Sequence, residues 1–255
     1  MDGTAQALAA LEFHGVSKAF GATRALDRLT LTVERGELFA LVGGNGAGKT
    51  TLIKCLLDFT TPDAGEIRIA GSSNRDTASR ADLAFLPERF NPPHYLTGRD
   101  FLRYMAELHR KSYDEGEVKA TFGRLDLALS ALDRPARTYS KGMTQKLGLA
   151  ACLISGKSLQ VLDEPTSGLD PLARALLKRE LTRLRQAGRT IFFTSHALAD
   201  VQELADRMAV VQNGRLMFAG TPEALIERYA ARTLEDAFLA CIGEALPGQS
   251  AVPSG

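Results

Sequence analysis

Three features of the chain predict an α/β fold built on a mainly parallel sheet. Short apolar segments of strand length alternate with longer segments of helical apolar spacing. One short segment, Leu38 to Val42, is uninterrupted, as a strand buried on both faces must be, and it runs into glycines. Between about Phe90 and Ser158 strand signals stop, so an all-helical lobe inserted between two strands of one sheet is the economical arrangement.

The elements follow in chain order. Leu29, Leu31 and Val33 alternate with Thr30 and Thr32, the mark of a half-exposed antiparallel strand. After Leu38–Val42, a helical run covers Thr51 to Leu57, and Ile67 to Ala70 and Ala84 to Leu86 read as further strands. Helical spacing covers Phe101 to His109, Glu117 to Leu129 and Lys141 to Leu153, with Thr97 as N-cap of the first. Strands are predicted again at Leu159–Leu162, Ile191–Thr194, Met208–Val211 and Leu216–Phe218. Asn213-Gly214 between the last two is a two-residue hairpin signal. Thr221-Pro222 opens a helix, with Thr221 as cap and Pro222 in the first turn.

Composition limits the roles open to the chain. In 255 residues, 45% are apolar and 24% charged, ordinary for a globular protein with a full core. Thirty-one Lys+Arg balance thirty Asp+Glu with no basic tract, which argues against nucleic acid as the main partner. Cys55, Cys152 and Cys241 have no metal or redox spacing and read as small buried hydrophobes. The start lacks signal-peptide character, and no window of about 18 uncharged apolar residues suggests a bilayer span. A membrane role is therefore expected to come through a partner.

Two motifs carry chemistry. Gly43-Gly44-Asn45-Gly46-Ala47-Gly48-Lys49-Thr50 fits the P-loop pattern, preceded by a strand and followed by a helix. Glycines let successive N–H groups turn inward toward phosphate oxygens, and the helix N-terminus adds partial positive charge. Lys49 is expected to reach the β- and γ-phosphates, and the Thr50 hydroxyl to bind Mg²⁺, with Thr51 continuing the cradle. Leu159–Leu162 runs into Asp163-Glu164, adjacent acids that strand alternation turns to different sides. Asp163 is the expected holder of the Mg²⁺ water shell, and Glu164 the general base that polarises the attacking water.

At this point the sequence resembles the ATP-binding cassette subunits of ABC transporters over nearly its whole length. Asp163-Glu164-Pro165-Thr166-Ser167-Gly168-Leu169-Asp170-Pro171 is similar to that family's Walker B and D-loop segment. Tyr139-Ser140-Lys141-Gly142-Met143 lies where the family places its signature sequence, Thr194-Ser195-His196 where it places its switch histidine, and Phe20 where an aromatic stacks on adenine. The resemblance implies a P-loop NTPase fold: a RecA-like core with an antiparallel β edge subdomain (about 9–89 and 158–225) and an inserted α-helical subdomain (about 90–157). A helical extension over 226–245 and a flexible tail over 246–255 complete the expected organisation, the cassette itself covering 9–225.

It also implies ATP and Mg²⁺ as cofactors and a head-to-tail homodimer, or paired cassette, in the ATP-bound state. Each ATP then lies between one copy's P-loop and the other's Ser140 and Gly142, with Asp170 communicating between sites and His196 holding the γ-phosphate and Glu164.

The sequence departs from the family pattern at several positions. Lys141 and Met143 replace Gly and Gln in the signature, and Gly44 stands where many members have Pro. Glu88, in Leu86-Pro87-Glu88-Arg89, takes the place of a Gln that touches Mg²⁺ or water; an acid keeps the oxygen ligand and adds charge. These features, with Pro92-Pro93-His94-Tyr95-Leu96-Thr97 and the terminal Thr233–Leu239 helix, resemble the exporter branch that pairs with separate permeases on the cytoplasmic face of the cell membrane. The alternative is a non-transport ABC ATPase. A binding module without turnover fits poorly with Glu164 and His196 present, and a small-molecule kinase leaves Glu164–Pro171 unexplained.

Overall fold

The computed structural model describes residues 9–243. Ten strands form two sheets. The first is antiparallel, in the order β2-β1-β4-β5, from β1 (Leu11–Phe20), β2 (Thr23–Val33), β4 (Ala64–Ile69) and β5 (Ser72–Ser73). The second has the order β10-β9-β3-β8-β7-β6, from β3 (Leu38–Val42), β6 (Leu83–Leu86), β7 (Leu159–Leu162), β8 (Thr190–Ser195), β9 (Arg207–Gln212) and β10 (Arg215–Gly220). All its pairings are parallel except β9–β10. The α/β expectation holds.

The pleat of the second sheet divides the core in two. On β3, Leu38, Ala40 and Val42 join one apolar cluster, while Phe39 and Leu41 join the other. β8 repeats this, with Ile191 and Phe193 on one face and Phe192 on the opposite one. The first face carries α2 (Gly98–Leu108), α3 (Glu115–Arg124), α4 (Lys141–Ser155), α5 (Pro171–Gln186), α6 (Leu198–Leu204) and α8 (Leu234–Cys241). The second receives α1 (Lys49–Leu56) and the inner face of the antiparallel sheet. α7 (Pro222–Arg228) follows β10 and packs against α8.

Local chemistry sets the boundaries. Thr97, Thr221 and Thr233 cap α2, α7 and α8, each accepting a backbone N–H three residues on. Asn213 and Gly214 both have positive φ (50° and 75°), the primed turn that matches strand twist. β1 was not expected: its register slips between Phe13 and Val16, so its buried residues leave the two-residue period that marks a strand. The helix predicted to reach Leu129 stops at Arg124, because the chain turns through a left-handed Asp126 (φ 52°) and leaves Leu129 exposed.

All three cysteines are buried and free, and burial pushes the Cys152 thiol up to about 12, which keeps it inert. Among the described residues no helix is long and apolar enough to cross a membrane. The expected tail over 246–255 and the end of the 226–245 extension lie outside the described residues.

Candidate active site

The C-terminal ends of β3, β8, β7 and β6 lie side by side, the edge of an open parallel sheet where ligands bind. β3 delivers the P-loop there, between β8 and β9. Gly48 has φ 110°, and a Cβ on it would lie 2.5 Å from the Ala25 carbonyl oxygen, so only glycine fits between the loop and β2. α1 starts immediately after, with no side-chain cap and no acid in its first turn, leaving its N–H groups for an anion. Lys49 folds back over the loop: its Nζ donates to the Gly43 carbonyl at 2.6 Å and lies 3.6 Å from Glu164 Oε1.

The two acids sit just past β7. Asp163 is buried; its Oδ2 accepts from the Thr50 hydroxyl at 3.2 Å, and its Oδ1 from the Thr194 hydroxyl at 2.6 Å. Burial raises its pKa against those two hydrogen bonds, and the negative charges of Glu164 and Glu88 raise it further. Glu164 has left-handed backbone (φ 49°), strained for a non-glycine residue, and its N–H donates to Thr194 Oγ1 at 2.8 Å. Its Oε2 lies 2.7 Å from His196 Nδ1. One Thr194 hydroxyl thus orients both acids. Sequence reasoning gave Thr194 no role; the available signal was a hydroxyl directly after the apolar run Ile191–Phe193 of a fully buried strand.

A cleft of about 330 Å³, the size of a small-molecule site, opens over these groups. Gly44 to Thr51, Glu88, Glu164 and His196 line it, together with Thr23, Arg24 and Ala25 at the start of β2. The structure therefore gathers the predicted P-loop, acids and histidine on one cavity, with Gly43 and Asp163 directly behind its wall. Phe20, Ser140, Gly142 and Asp170 do not line it. Ser140 caps α4, its Oγ accepting from the Met143 N–H at 3.2 Å, and Asp170 caps α5, accepting from Ala173 N–H at 2.8 Å. Phe20 pairs across the β1–β2 turn with Thr23, with the Lys18 ammonium 5.5 Å from its ring centre.

Magnesium suits this donor set. Thr50 and Asp163 offer hard oxygens, and the negative charges of Glu164 and Glu88 act on Asp163, a field that a divalent cation would offset. Among the described residues no group of three or more His, Cys, Asp or Glu forms a cage, so such an ion must share its ligands with phosphate or water.

Residues 26–167 match the family described as ABC transporter. The Nod factor export ATP-binding protein I of Rhizobium sp. (strain N33) is 38% identical over 226 residues, covering 86% of this chain and 73% of that relative. A solved ATP-binding subunit of an ABC transporter superposes with a TM-score of 0.83 at 29% identity, covering 91% of this chain and 99% of the other. A dimeric ATP-binding cassette in a post-hydrolysis state, bound to ADP and Pi, shares the fold with a TM-score of 0.75 at 19% identity, covering 83% and 98%.

Proposed function

This chain belongs to the ABC transporter family as an ATP-binding, ATP-hydrolysing subunit, and from that premise we propose how its side chains divide the work and what the hydrolysis drives. The observation that carries the reading is the convergence of Lys49, Thr50, Asp163, Glu164 and His196 on one P-loop cleft.

Lys49 leaves the Gly43 carbonyl for the β- and γ-phosphate oxygens, while the P-loop N–H groups hold the remaining oxygens. Thr50, Asp163 and Glu88 are the residues that would hold Mg²⁺, directly or through water; when bound, the ion neutralises charge on the phosphate oxygens. Glu164 takes a proton from the water whose oxygen forms the new bond to the γ-phosphorus, as the bond from that phosphorus to the β–γ bridging oxygen breaks. His196 fixes the Glu164 carboxylate and contacts the γ-phosphate.

Ser140, Gly142 and Asp170 serve a second copy. They do not line their own cleft, and a head-to-tail dimer gives each of them a nucleotide to contact. Phe20 stacks on the adenine from the β1–β2 turn. Residues 9–89 and 158–225 act as the nucleotide-binding core, and the helical segment 90–157 as the lobe that moves against it. That lobe transmits closure to a separate integral membrane permease at the cytoplasmic face of the membrane. Export is the favoured direction, because a relative 38% identical carries an export function in its name.

Glu164→Gln is the direct test. Turnover should fall roughly 10²–10⁴-fold while ATP binding persists and a stable dimer accumulates in gel filtration; near-normal hydrolysis would remove Glu164 as the base. Purification from membranes should retain a permease, and a chain found without any membrane partner would favour the non-transport alternative.

A further inference from the structure

Asp170 and His196 stand at the starts of two helices that pack together, α5 and α6. Asp170 caps α5, and its carbonyl accepts from the Arg174 N–H at 2.9 Å. His196 lies just ahead of α6, where the Asp200 N–H donates to the Ala197 carbonyl at 3.1 Å. α6 starts at Ala197, which offers no side-chain cap. Leu198, Val201 and Leu204 bury the helix, but apolar contact is non-directional and leaves its slide against α5 to be set by polar groups. Two acids of α6 supply them: Asp200 meets Arg174 and Lys178, and the exposed Glu203 meets Lys178.

The Asp200 side chain is only 4% exposed, with Oδ2 3.8 Å from Arg174 Nε and Oδ1 3.6 Å from the Lys178 ammonium. Among the described residues, Asp200 Oδ2 and Arg174 Nε are both shielded from solvent, and neither has a hydrogen-bond partner. The other buried acid on this helix pair differs. Glu180, on α5, has an Oε2 that accepts from Arg124 Nε at 3.0 Å and from two nitrogens of Arg183. Burying a charged donor and acceptor unpaired is unfavourable, and a guanidinium–carboxylate bond closes to about 2.8 Å. The Arg174–Asp200 gap is thus about 1 Å too wide, within the 1–2 Å or so by which packed helices shift between states.

We propose that Arg174 and Asp200 are positioning residues whose hydrogen bond closes when ATP joins two copies, and that this closure ties Asp170 to His196. The proposal rests on the reading of Asp170 as a residue that serves a second copy. A partner engaging the start of α5 draws that helix against α6, and Arg174 Nε reaches Asp200 Oδ2. α6 then fixes the backbone at Ala197, which keeps His196 on Glu164, 2.7 Å away in the single chain. The unpaired atoms are the open position of this latch, and the dimer satisfies them.

The test is ATP-driven dimerisation of the full chain carrying Glu164→Gln, followed by sedimentation over a range of protein concentrations. Adding Asp200→Asn or Arg174→Gln should raise the dimer dissociation constant roughly 10- to 100-fold, since two such bonds close per dimer. ATP affinity of the monomer, measured by calorimetry below the dimerising concentration, should not change. With Glu164 intact, each variant should lower kcat several-fold and leave KM nearly unchanged, as loss of a contact made only in the reacting dimer does. Both changes in one chain should cost no more than either alone, because they remove the same bond. A dimer constant unchanged in either single variant, or losses that multiply in the double variant, would overturn the proposal and leave the pair a brace between helices. Thermal melts identify a variant that fails to fold, in which case Arg174→Lys decides. It keeps the charge and loses the Nε–H, so it should still weaken the dimer, and an unchanged constant would overturn the proposal. A Glu164→Gln chain that stays monomeric with ATP would overturn the dimer reading itself, and this proposal with it.

Discussion

The P-loop cleft and the surface formed by Ser140, Gly142 and Asp170 carry the two halves of the expected chemistry, yet they are built differently. In the cleft, functional groups bond to one another across the fold: Thr50 to Asp163, Thr194 to both acids, His196 to Glu164. On the other surface each polar group is engaged within its own helix, Ser140 at the start of α4 and Asp170 at the start of α5. The segments behind these caps abut, since a Cβ on Gly168 would lie 3.0 Å from Lys141 Cε. The cleft is preorganised by its own chain; the second surface is an edge of two capped helix starts that do not line it.

Mixing subunits bearing Lys49→Ala with subunits bearing Ser140→Arg gives the largest effect that could break this contrast. Each variant alone should be inactive. Half of the mixed dimers pair unlike chains, each with one intact composite site, so turnover should return to about a quarter of wild type. No recovery in the mixture would mean that both residues serve one site within one chain.

Thr194→Val sharpens the description of the cleft. The near-isosteric change leaves the buried Glu164 N–H without an acceptor, at a cost of about 1–3 kcal/mol in denaturant unfolding. It should also lower kcat about 10-fold with little change in KM, as loss of a supporting partner does, and Thr194→Ser should restore it. Equal kcat in the Val variant would reduce Thr194 to packing.

The smallest effect concerns the charge collected in the cleft. Burial raises the Asp163 pKa above its ordinary 3.8. The folded state therefore holds that proton more tightly than the unfolded chain. The stability gained from this is fully present below the ordinary value and is lost as pH rises through the folded one. Without nucleotide or Mg²⁺, Asp163→Asn should melt with the wild type below about pH 3.8 and a few degrees higher at pH 8, though inactive. A wild type that melts higher at pH 8 would show that the hydroxyls of Thr50 and Thr194 outweigh burial.

Much of this site was legible because its pieces are short. A strand, a glycine loop and a lysine follow one another within a dozen residues, as do a strand and two acids. What escaped notice was either irregular or distributed. β1 hid behind a bulge that breaks its alternation, and Asp126 ended α3 where apolar periodicity continued. Thr194 lies 31 residues from Asp163, and Arg215 lies 188 residues from Asp27, so no local pattern joins them.

The sequence by itself determined the parallel α/β architecture, the phosphate loop, the acid pair and the Thr caps, because bond geometry fixes what near neighbours can do. Only the tertiary structure decided that β7 lies beside β8 in the register Leu162 to Phe193, which brings Thr194 to Asp163 and Glu164. Only it decided that the β9–β10 turn wedges between β2 and the P-loop. Those placements come from burying two faces of one sheet at once, a collective packing solution that no residue spacing encodes.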